Sequence, residues 1–430
     1  MRRLTAAVRP VHGEVTVPGS KSVANRALVA AALAHGDSVL TDVPDGDDTN
    51  AMLRCLSGLG VLVDARPSGS VSVVGTGGRL RPSIQRLDAG LAGTTSRFVT
   101  ALAALADTPV TIDGDIPLRA RPMGELHDAL AVLGARVDAG DRAGHLPVTI
   151  TGPVGRGGTV RMRGDVSSQF VTALMLIGPL LETGLRIELT SRLVSAPYVR
   201  LTAAVMESFG GPAVDASDDH VAVAAGRYTG TRFEVEPDAS SASYPLSIAA
   251  ACGGAVTVNG LTPSSLQGDI VILELLESMG CDVETGDCSV TVSRPTERPL
   301  RGIDVNLAES SDLVPTIAAI ATTASTATTI RGVGFIRAKE SDRLGDLARE
   351  LARTGALVSE TADGLHVEPV PGGAASLRGA ALHTHHDHRL AMAFAVLGAA
   401  VDGISVDVAD VVGKSWPGFW DAYDTLLGTQ

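Results

Sequence analysis

The sequence predicts an α/β protein of six repeated units, divided into two domains of three. Three observations predict it: a recurring amphipathic helix that ends on glycine, a short alternating strand after most copies, and an interleaved second series of alanine-rich helices. The first series reads LRCLSGLGVLV around Gly60, LHDALAVLGARV around Gly134, LTAAVMESFGGPAV around Gly210, ILELLESMGCDV around Gly280 and LARELARTGALV around Gly355. These glycines recur every 70 to 76 residues. Each fits the left-handed position that closes a helix, which costs glycine little. The strands that follow, such as VSVVG, VTITG, VAVAAG and VTVSR, alternate apolar and polar residues as half-buried strands do.

The second series starts from polar clusters: SKSVANRALVAAALA, GTTSRFVTALAALA, SSQFVTALMLIG, SSASYPLSIAAA, SSDLVPTIAAIA and HHDHRLAMAFAVLG. Ser22, Thr95, Ser168, Ser241, Asp312 and His388 mark it at intervals of 71 to 76 residues. Helices this rich in alanine and this poor in charge are expected to be buried on all sides. The sixth amphipathic helix, WDAYDTLLG, ends at Gly428 with no strands after it. The segment VRPVHGEVTVPG at the N-terminus is expected to supply them and so complete the sixth unit. That division sets one domain at 20 to 236 and the other at 237 to 430 with 1 to 19. The chain crosses between them at PGSKS and at EPDASS, and a ligand cleft is expected there.

The composition excludes several classes. A 430-residue chain that is 45% hydrophobic can bury a large core. A net charge of -13 without a basic run argues against nucleic acid as a partner. No apolar run is long enough for a membrane span, and the N-terminus does not read as a signal peptide. The four cysteines, Cys55, Cys252, Cys281 and Cys288, show no zinc spacing. Cys281 and Cys288 flank a hairpin and could face each other, but free thiols in a reduced cytoplasm are the expectation.

The polar helix starts are where chemistry is expected. The first turn of a helix leaves N–H groups unpaired and attracts anions. Ser, Thr or Asp there is also an ordinary cap, so each cluster alone says little. Cations beside the clusters say more, because a cap does not need one and a bound anion does. Lys21 and Arg26 lie in SKSVANR, Arg97 in GTTSR and Arg389 in HHDHR. Arg119 and Arg121 stand in PLRARPMG, Lys339 and Arg343 in RAKESDR, and Lys414 in VVGKSWPG. GSKS lacks the spacing of a nucleotide-binding phosphate loop. The histidines 383, 385, 386 and 388 are followed by Arg389, which disfavours a metal.

Only three of the 35 basic residues are lysines, and all three fall in these loops. Arginine serves on surfaces and in carboxylate forks, but it does not replace a compact ammonium held between two ligands. Asp312 and Glu340 are the acids in reach. Position leaves each open between capping and proton transfer.

PGSKSVANRAL, AGTTSR, RARP, DVSSQF, LVSAPY, DASSASY, SDLVPT, AKESDR, DHRLAM and GKSWP, in this order and across essentially the whole chain, resemble the EPSP synthase family of enolpyruvyl transferases. The resemblance implies a two-domain inside-out α/β barrel of six βαβαββ units, three per domain, closing on phosphoenolpyruvate and shikimate 3-phosphate. It implies transfer of the enolpyruvyl group to the 5-hydroxyl of shikimate 3-phosphate through a tetrahedral ketal, with no metal or organic cofactor. A cytoplasmic monomer acting on small molecules is expected. By matching position, Ser22, Arg26, Ser167, Ser168 and Ser195 would hold shikimate 3-phosphate, with Tyr198 close by. Gly93, Arg121, Gln169, Arg343, Arg389 and Lys414 would hold phosphoenolpyruvate, and Lys21 would touch both. Asp312 would accept the hydroxyl proton with help from Lys339, both also touching shikimate 3-phosphate, and Glu340 would protonate the methylene carbon.

The chain departs from the family where Leu91 replaces a common Asn, Phe335 a polar residue and Phe98 a Pro. These changes bear on the shape of the substrate pockets and on sensitivity to glyphosate. The alternatives are a related transferase acting on UDP-N-acetylglucosamine and an anion-binding paralogue without activity. The first usually carries a reactive cysteine before its RP motif, which DGDIPLRARPMG lacks. The second should have lost some of Asp312, Glu340 and the three lysines, and all five are present.

Overall fold

The alanine-rich segments fold as Lys21–Leu33, Gly93–Ala103, Ser168–Ile177, Ala239–Cys252, Val314–Ala321 and His388–Ala400, and nearly every residue in them past the first turn is buried. Alanine makes this possible, since helices without bulk on any face can pack on neighbours all round. The structure is a computed structural model and describes residues 1–7 and 10–428. The chain forms two compact units, Gly19–Glu236 and Met1–Pro18 with Pro237–Gln430.

In Gly19–Glu236 the first three of these helices pack together beneath three four-stranded sheets. Each sheet runs in the same pattern. A parallel edge strand leads to a central strand, followed by an antiparallel hairpin, as in Arg86–Asp88, Val110–Asp113, Val148–Thr151 and Arg136–Asp138. With its two helices, this is a βαβαββ unit. The second unit repeats the plan with the other three helices, two four-stranded sheets and one of three strands. Amphipathic helices, from Asp47–Gly58 to Phe419–Leu427, flank the sheets. The glycines that follow them (60, 134, 210, 280, 355 and 428) all take φ between 66° and 103°. A side chain is strained in that region, so the recurring glycine is a geometric necessity of the helix-to-strand turn.

Two strands pair with a repeat other than the one whose helix they precede, each within its own unit. Val11–Thr16 precedes the Lys21 helix in sequence, yet it pairs in parallel with Gly254–Asn259 of the fourth repeat. Arg232–Glu234 precedes the Ala239 helix, yet it pairs with Asp37–Thr41 of the first. The expectation that VRPVHGEVTVPG completes the sixth unit is therefore corrected. Arg2–Arg3 is the piece that joins the sixth sheet, antiparallel to Ser405–Val406. Of the expected segment, Val8 and Arg9 lie outside the described residues. The physical reason is length: GAVTVN offers six ladder positions to Val11–Thr16, whereas the sixth sheet's central strand has two residues. Where the chain crosses, Ser20 N donates to Glu236 O at 2.7 Å and Asp238 N to Pro18 O at 2.9 Å.

Candidate active site

In the unit formed by the two ends of the chain, the charged residues singled out from the sequence meet in one network around Arg343. This residue opens the helix Arg343–Ala352, and its side chain is 1% exposed. Its Nε donates to Asp387 Oδ2 at 2.7 Å, Nη1 to Asp312 Oδ1 at 2.9 Å and Nη2 to Glu340 Oε2 at 2.8 Å. One planar guanidinium thus fixes three carboxylates, which the fork of an arginine can do and an ammonium cannot. Arg389 Nη2 donates to the other Asp312 oxygen at 2.7 Å, and Lys339 Nζ lies 3.9 Å from Asp312 Oδ1. Lys414, nearly buried at the end of the turn Ala409–Lys414, donates to Glu340 Oε1 at 2.9 Å.

Burial would raise the Asp312 carboxyl, but Arg389, Lys339 and Arg343 outweigh it and hold the group well below the usual carboxylate range. Burial likewise disfavours charge on Arg343, and the carboxylates of Asp387, Glu340 and Asp312 reverse that and hold it firmly protonated. Asp312 does not cap its helix: Val314–Ala321 has no side-chain cap, and both Asp312 oxygens are committed to cations. Caps are made instead by Ser167, Asp238 and Asp387, which accept from Gln169 N, Ser241 N and Arg389 N.

The other unit carries a second constellation on its buried helix starts. Lys21, the first residue of its helix, donates to Asp48 Oδ2 at 2.9 Å. Arg26, one turn on, is buried. It donates to Thr202 Oγ1 at 2.8 Å, to Thr172 Oγ1 at 3.4 Å and to Ser22 O at 2.8 Å. Its guanidinium carbon stands 5.5 Å from the Phe98 ring centroid and 5.4 Å from that of Tyr198. Burial lowers Arg26 to about 10, with the Tyr198 hydroxyl opposing the shift, and it stays charged at neutral pH. Ser168 is buried behind the Ser167 cap, and Gln169 Nε2 donates to Thr94 Oγ1 at 3.3 Å. Ser195 takes φ 54°, a left-handed conformation uncommon for serine, directly before the helix that carries Tyr198.

Gly93 has a clear steric role. A β-carbon there would stand 2.6 Å from Arg121 Nη1, so the guanidinium rests on the glycine's bare face. Arg119 is used differently, forking onto Asp113 through Nε and Nη2, both at 2.8 Å. Of the three departures, Phe98 packs on Arg26, Phe335 packs against the core of its unit and Leu91 is exposed.

Several residues of these networks were not among the candidates: Asp48, Asp387, Ser240, which accepts from Arg389 Nη2 at 3.4 Å, and Asp269, which accepts from Ser240 Oγ. Asp387 had a usable signal, standing as it does at a helix start between a histidine run and Arg389. Its carboxylate has no solvent exposure. His383 lies 3.0 Å from Asp407 and His385 3.2 Å from Glu350. Among the described residues no group of three or more His, Cys, Asp or Glu could hold a metal ion. All four cysteines are free; Cys281 is buried and Cys288 exposed.

Comparison with known proteins covers the whole architecture. The chain is 40% identical over 422 residues to 3-phosphoshikimate 1-carboxyvinyltransferase of Trichormus variabilis, covering 98% of this chain and 97% of that one. It is 41% identical over 415 residues to the protein of that name from Methanoculleus marisnigri, covering 96% of each. The structure of EPSP synthase from Acinetobacter baumannii superposes with a TM-score of 0.81 at 26% identity, covering 99% of this chain and 97% of that one. The sequence model of the family described as EPSP synthase (3-phosphoshikimate 1-carboxyvinyltransferase) matches residues 5–423. A match of that extent, to relatives of nearly equal length, means that the chain belongs to the EPSP synthase family.

Proposed function

We propose that this chain transfers the enolpyruvyl group of phosphoenolpyruvate to the 5-hydroxyl of shikimate 3-phosphate, releasing phosphate. Family membership supports the reaction. The observation that carries it to particular residues is the Arg343 fork, which ties a candidate base, Asp312, and a candidate acid, Glu340, to one rigid group. Four cations (Lys339, Arg343, Arg389, Lys414) surround three carboxylates (Asp312, Glu340, Asp387), a surplus suited to an anionic substrate.

In this reading Ser22, Arg26, Ser167, Ser168 and Ser195, with Tyr198 alongside, hold shikimate 3-phosphate. Gly93, Arg121, Gln169, Arg343, Arg389 and Lys414 hold phosphoenolpyruvate, and Lys21 reaches both substrates. Asp312, assisted by Lys339, takes the proton from the 5-hydroxyl as its oxygen bonds to C2 of phosphoenolpyruvate. Glu340 delivers a proton to C3, so the methylene becomes a methyl and a tetrahedral ketal forms. The second half runs in reverse at C3: a methyl proton returns to the Glu340 carboxylate, its C–H electron pair re-forms the C2–C3 double bond, and the C2–O bond to phosphate breaks with phosphate leaving on that bond's electrons.

The ion pairs suggest how the acid and base are readied. Phosphoenolpyruvate competes for Arg343, Arg389 and Lys414, which loosens their hold on Asp312 and Glu340. Both carboxyls then become better proton acceptors, so Glu340 can be loaded and Asp312 can act as a base. Fixing both reactants in contact can supply up to about 7 to 11 kcal/mol of barrier reduction.

We place this activity in the cytoplasm and take the monomer as the working unit. Four free thiols fit a reducing compartment. Among the described residues no helix is long and apolar enough to cross a membrane.

The test is phosphate release from phosphoenolpyruvate by purified protein. Release only when shikimate 3-phosphate is added is expected. Equal release with UDP-N-acetylglucosamine, or none with either acceptor, would overturn the assignment.

A further inference from the structure

Behind the Asp312–Arg389 pair lies a carboxyl that the proposed reaction does not use. Asp269 sits in the turn Gly268–Val271 and is 3% exposed. The turn is anchored on both sides. Gln267 donates to Pro237 O at 2.8 Å and accepts from Ala239 N at 3.1 Å, while Gly268 O accepts from Ser310 Oγ at 2.8 Å. So placed, Asp269 Oδ2 accepts a short hydrogen bond from Ser240 Oγ. The same Ser240 oxygen accepts from Arg389 Nη2 at 3.4 Å, and that Nη2 donates to Asp312. Asp269 Oδ1 is buried with no partner. An anchored carboxylate with one bare oxygen is poorly solvated as an anion, and its outlet is through Ser240 to Arg389.

The surrounding charges disagree about its ionisation. Burial disfavours the anion most, the Asp312 charge adds to that, and Asp238 adds a little. Arg389 and the Ser240 hydroxyl work the other way. The balance pushes the carboxyl up to about 7. Asp238 faces it from the start of the Ala239 helix, Asp312 from the turn before Val314, and Arg389 from the His388 helix.

We infer that Asp269 is a positioning residue for Arg389, acting through Ser240, and that its ionisation state sets how firmly Arg389 grips an anionic substrate. Neutral Asp269 leaves the guanidinium to the substrate. Ionised Asp269 draws the same Nη2 toward Ser240 and cancels part of the local positive charge. Anion binding therefore takes up a proton at Asp269. Affinity is highest below the pKa of the empty site and falls as pH rises above it, until the pKa of the loaded site is passed. The inference rests on the reading of Arg389 as a phosphoenolpyruvate ligand.

The experiment measures KM for phosphoenolpyruvate at saturating shikimate 3-phosphate, at about pH 6, 7 and 8.5, for the unaltered chain, Asp269→Asn and Ser240→Ala. Asn mimics the neutral carboxyl. Dividing each KM by that of Asp269→Asn at the same pH cancels the titration of the substrate and of other groups. The expected ratio for the unaltered chain grows about threefold to tenfold between the lowest and highest pH, as a carboxyl moved by half to one pKa unit on anion binding requires. The kcat ratio stays flat with pH. Ser240→Ala, lacking the bridge, lowers the growth toward that of Asn.

A flat KM ratio, or growth confined to kcat, would sink the proposal. So would Ser240→Ala behaving like the unaltered chain, and this variant alone decides if Asp269→Asn yields no folded protein. If the unaltered chain shows no turnover, the functional reading fails separately. Calorimetric Kd values for phosphoenolpyruvate over the same pH series then decide for or against Asp269 by the same ratio.

Discussion

Arg343 Nε donates to Asp387 Oδ2 at 2.7 Å, with the two side chains 1% and 0% exposed. Asp387 also accepts the backbone N–H of Arg389 at 2.9 Å. One sealed carboxylate thus orients both arginines that grip Asp312. Asp387 carries the one fully sealed charge of the three carboxylates that balance Arg343, so Asp387→Asn is expected to cost up to about 3 to 5 kcal/mol of stability, the range for breaking a buried pair. Asp312→Asn should cost less, because its side chain is 15% exposed where that of Asp387 is 0% exposed, although it should abolish turnover. Urea unfolding of the two variants checks this. Equal losses would mean that Asp387 is no more structural than Asp312.

His127 predicts an acid-sensitive stability. It lies on the helix Gly124–Val132, 4% exposed, with neither ring nitrogen hydrogen-bonded. Burial lowers it to about 4, and the charge of Arg97 adds to the effect. In the unfolded chain it titrates near 6.5. Between those values the unfolded state binds more protons, so stability rises with pH through the window and is lost as pH falls from 6.5 toward 4. At most about 3 kcal/mol is at stake. His127→Leu should flatten this part of the pH–stability curve, measured by urea midpoints at about pH 4.5 and 7. An unchanged slope would assign the acid sensitivity elsewhere.

How much of this is legible in the sequence depends on the range of the physics. A helix cap such as Gly60 or Gly355 is decided by its own φ, so the six-fold recurrence shows in the chain itself. The buried helices declare themselves by alanine content. The destination of Val11–Thr16 does not, because its alternation is the same whichever sheet receives it and only a distant partner of matching length decides. The site divides the same way. Lys21, Lys339 and Lys414 stand out as rare lysines, and the family motifs mark Asp312, Glu340 and Arg343. Asp48 and Asp269 carry the signal of an ordinary helix-start acid, and Asp387 differs from them in sequence only by its histidine and arginine neighbours. What separates them is the group each faces: Lys21 for Asp48, Arg343 for Asp387, and Ser240 for Asp269.

Lys21 tests whether the rarity of lysine has a cause. Its ammonium holds Asp48 at 2.9 Å from the first position of a buried helix. An arginine there keeps the charge but extends it into a longer planar fork. Lys21→Arg is expected to lower kcat/KM about 100-fold, the order of loss from misplacing a reacting group by about 1 Å, while its melting temperature holds. Steady-state kinetics beside thermal melts decide. Near-normal turnover would leave the lysine pattern without a catalytic meaning.

Phe98 stands where the family often has proline. Its ring and that of Tyr198 both lie within 5.5 Å of the Arg26 guanidinium carbon. The polar partners of this guanidinium, Thr172, Thr202 and the Ser22 carbonyl, are all uncharged. The aromatic faces therefore carry part of the burden of keeping a desolvated cation in place, and a buried cation–π contact contributes about 2 kcal/mol. If Arg26 holds shikimate 3-phosphate, Phe98→Leu keeps the apolar packing but removes the quadrupole. KM for shikimate 3-phosphate should then rise about threefold to tenfold, less than the full contact because Tyr198 remains. KM for phosphoenolpyruvate and kcat should stay near their original values. A rise shared equally by both substrates would point to general loosening of the helix. A loss of stability with both KM values intact would make Phe98 a packing residue only.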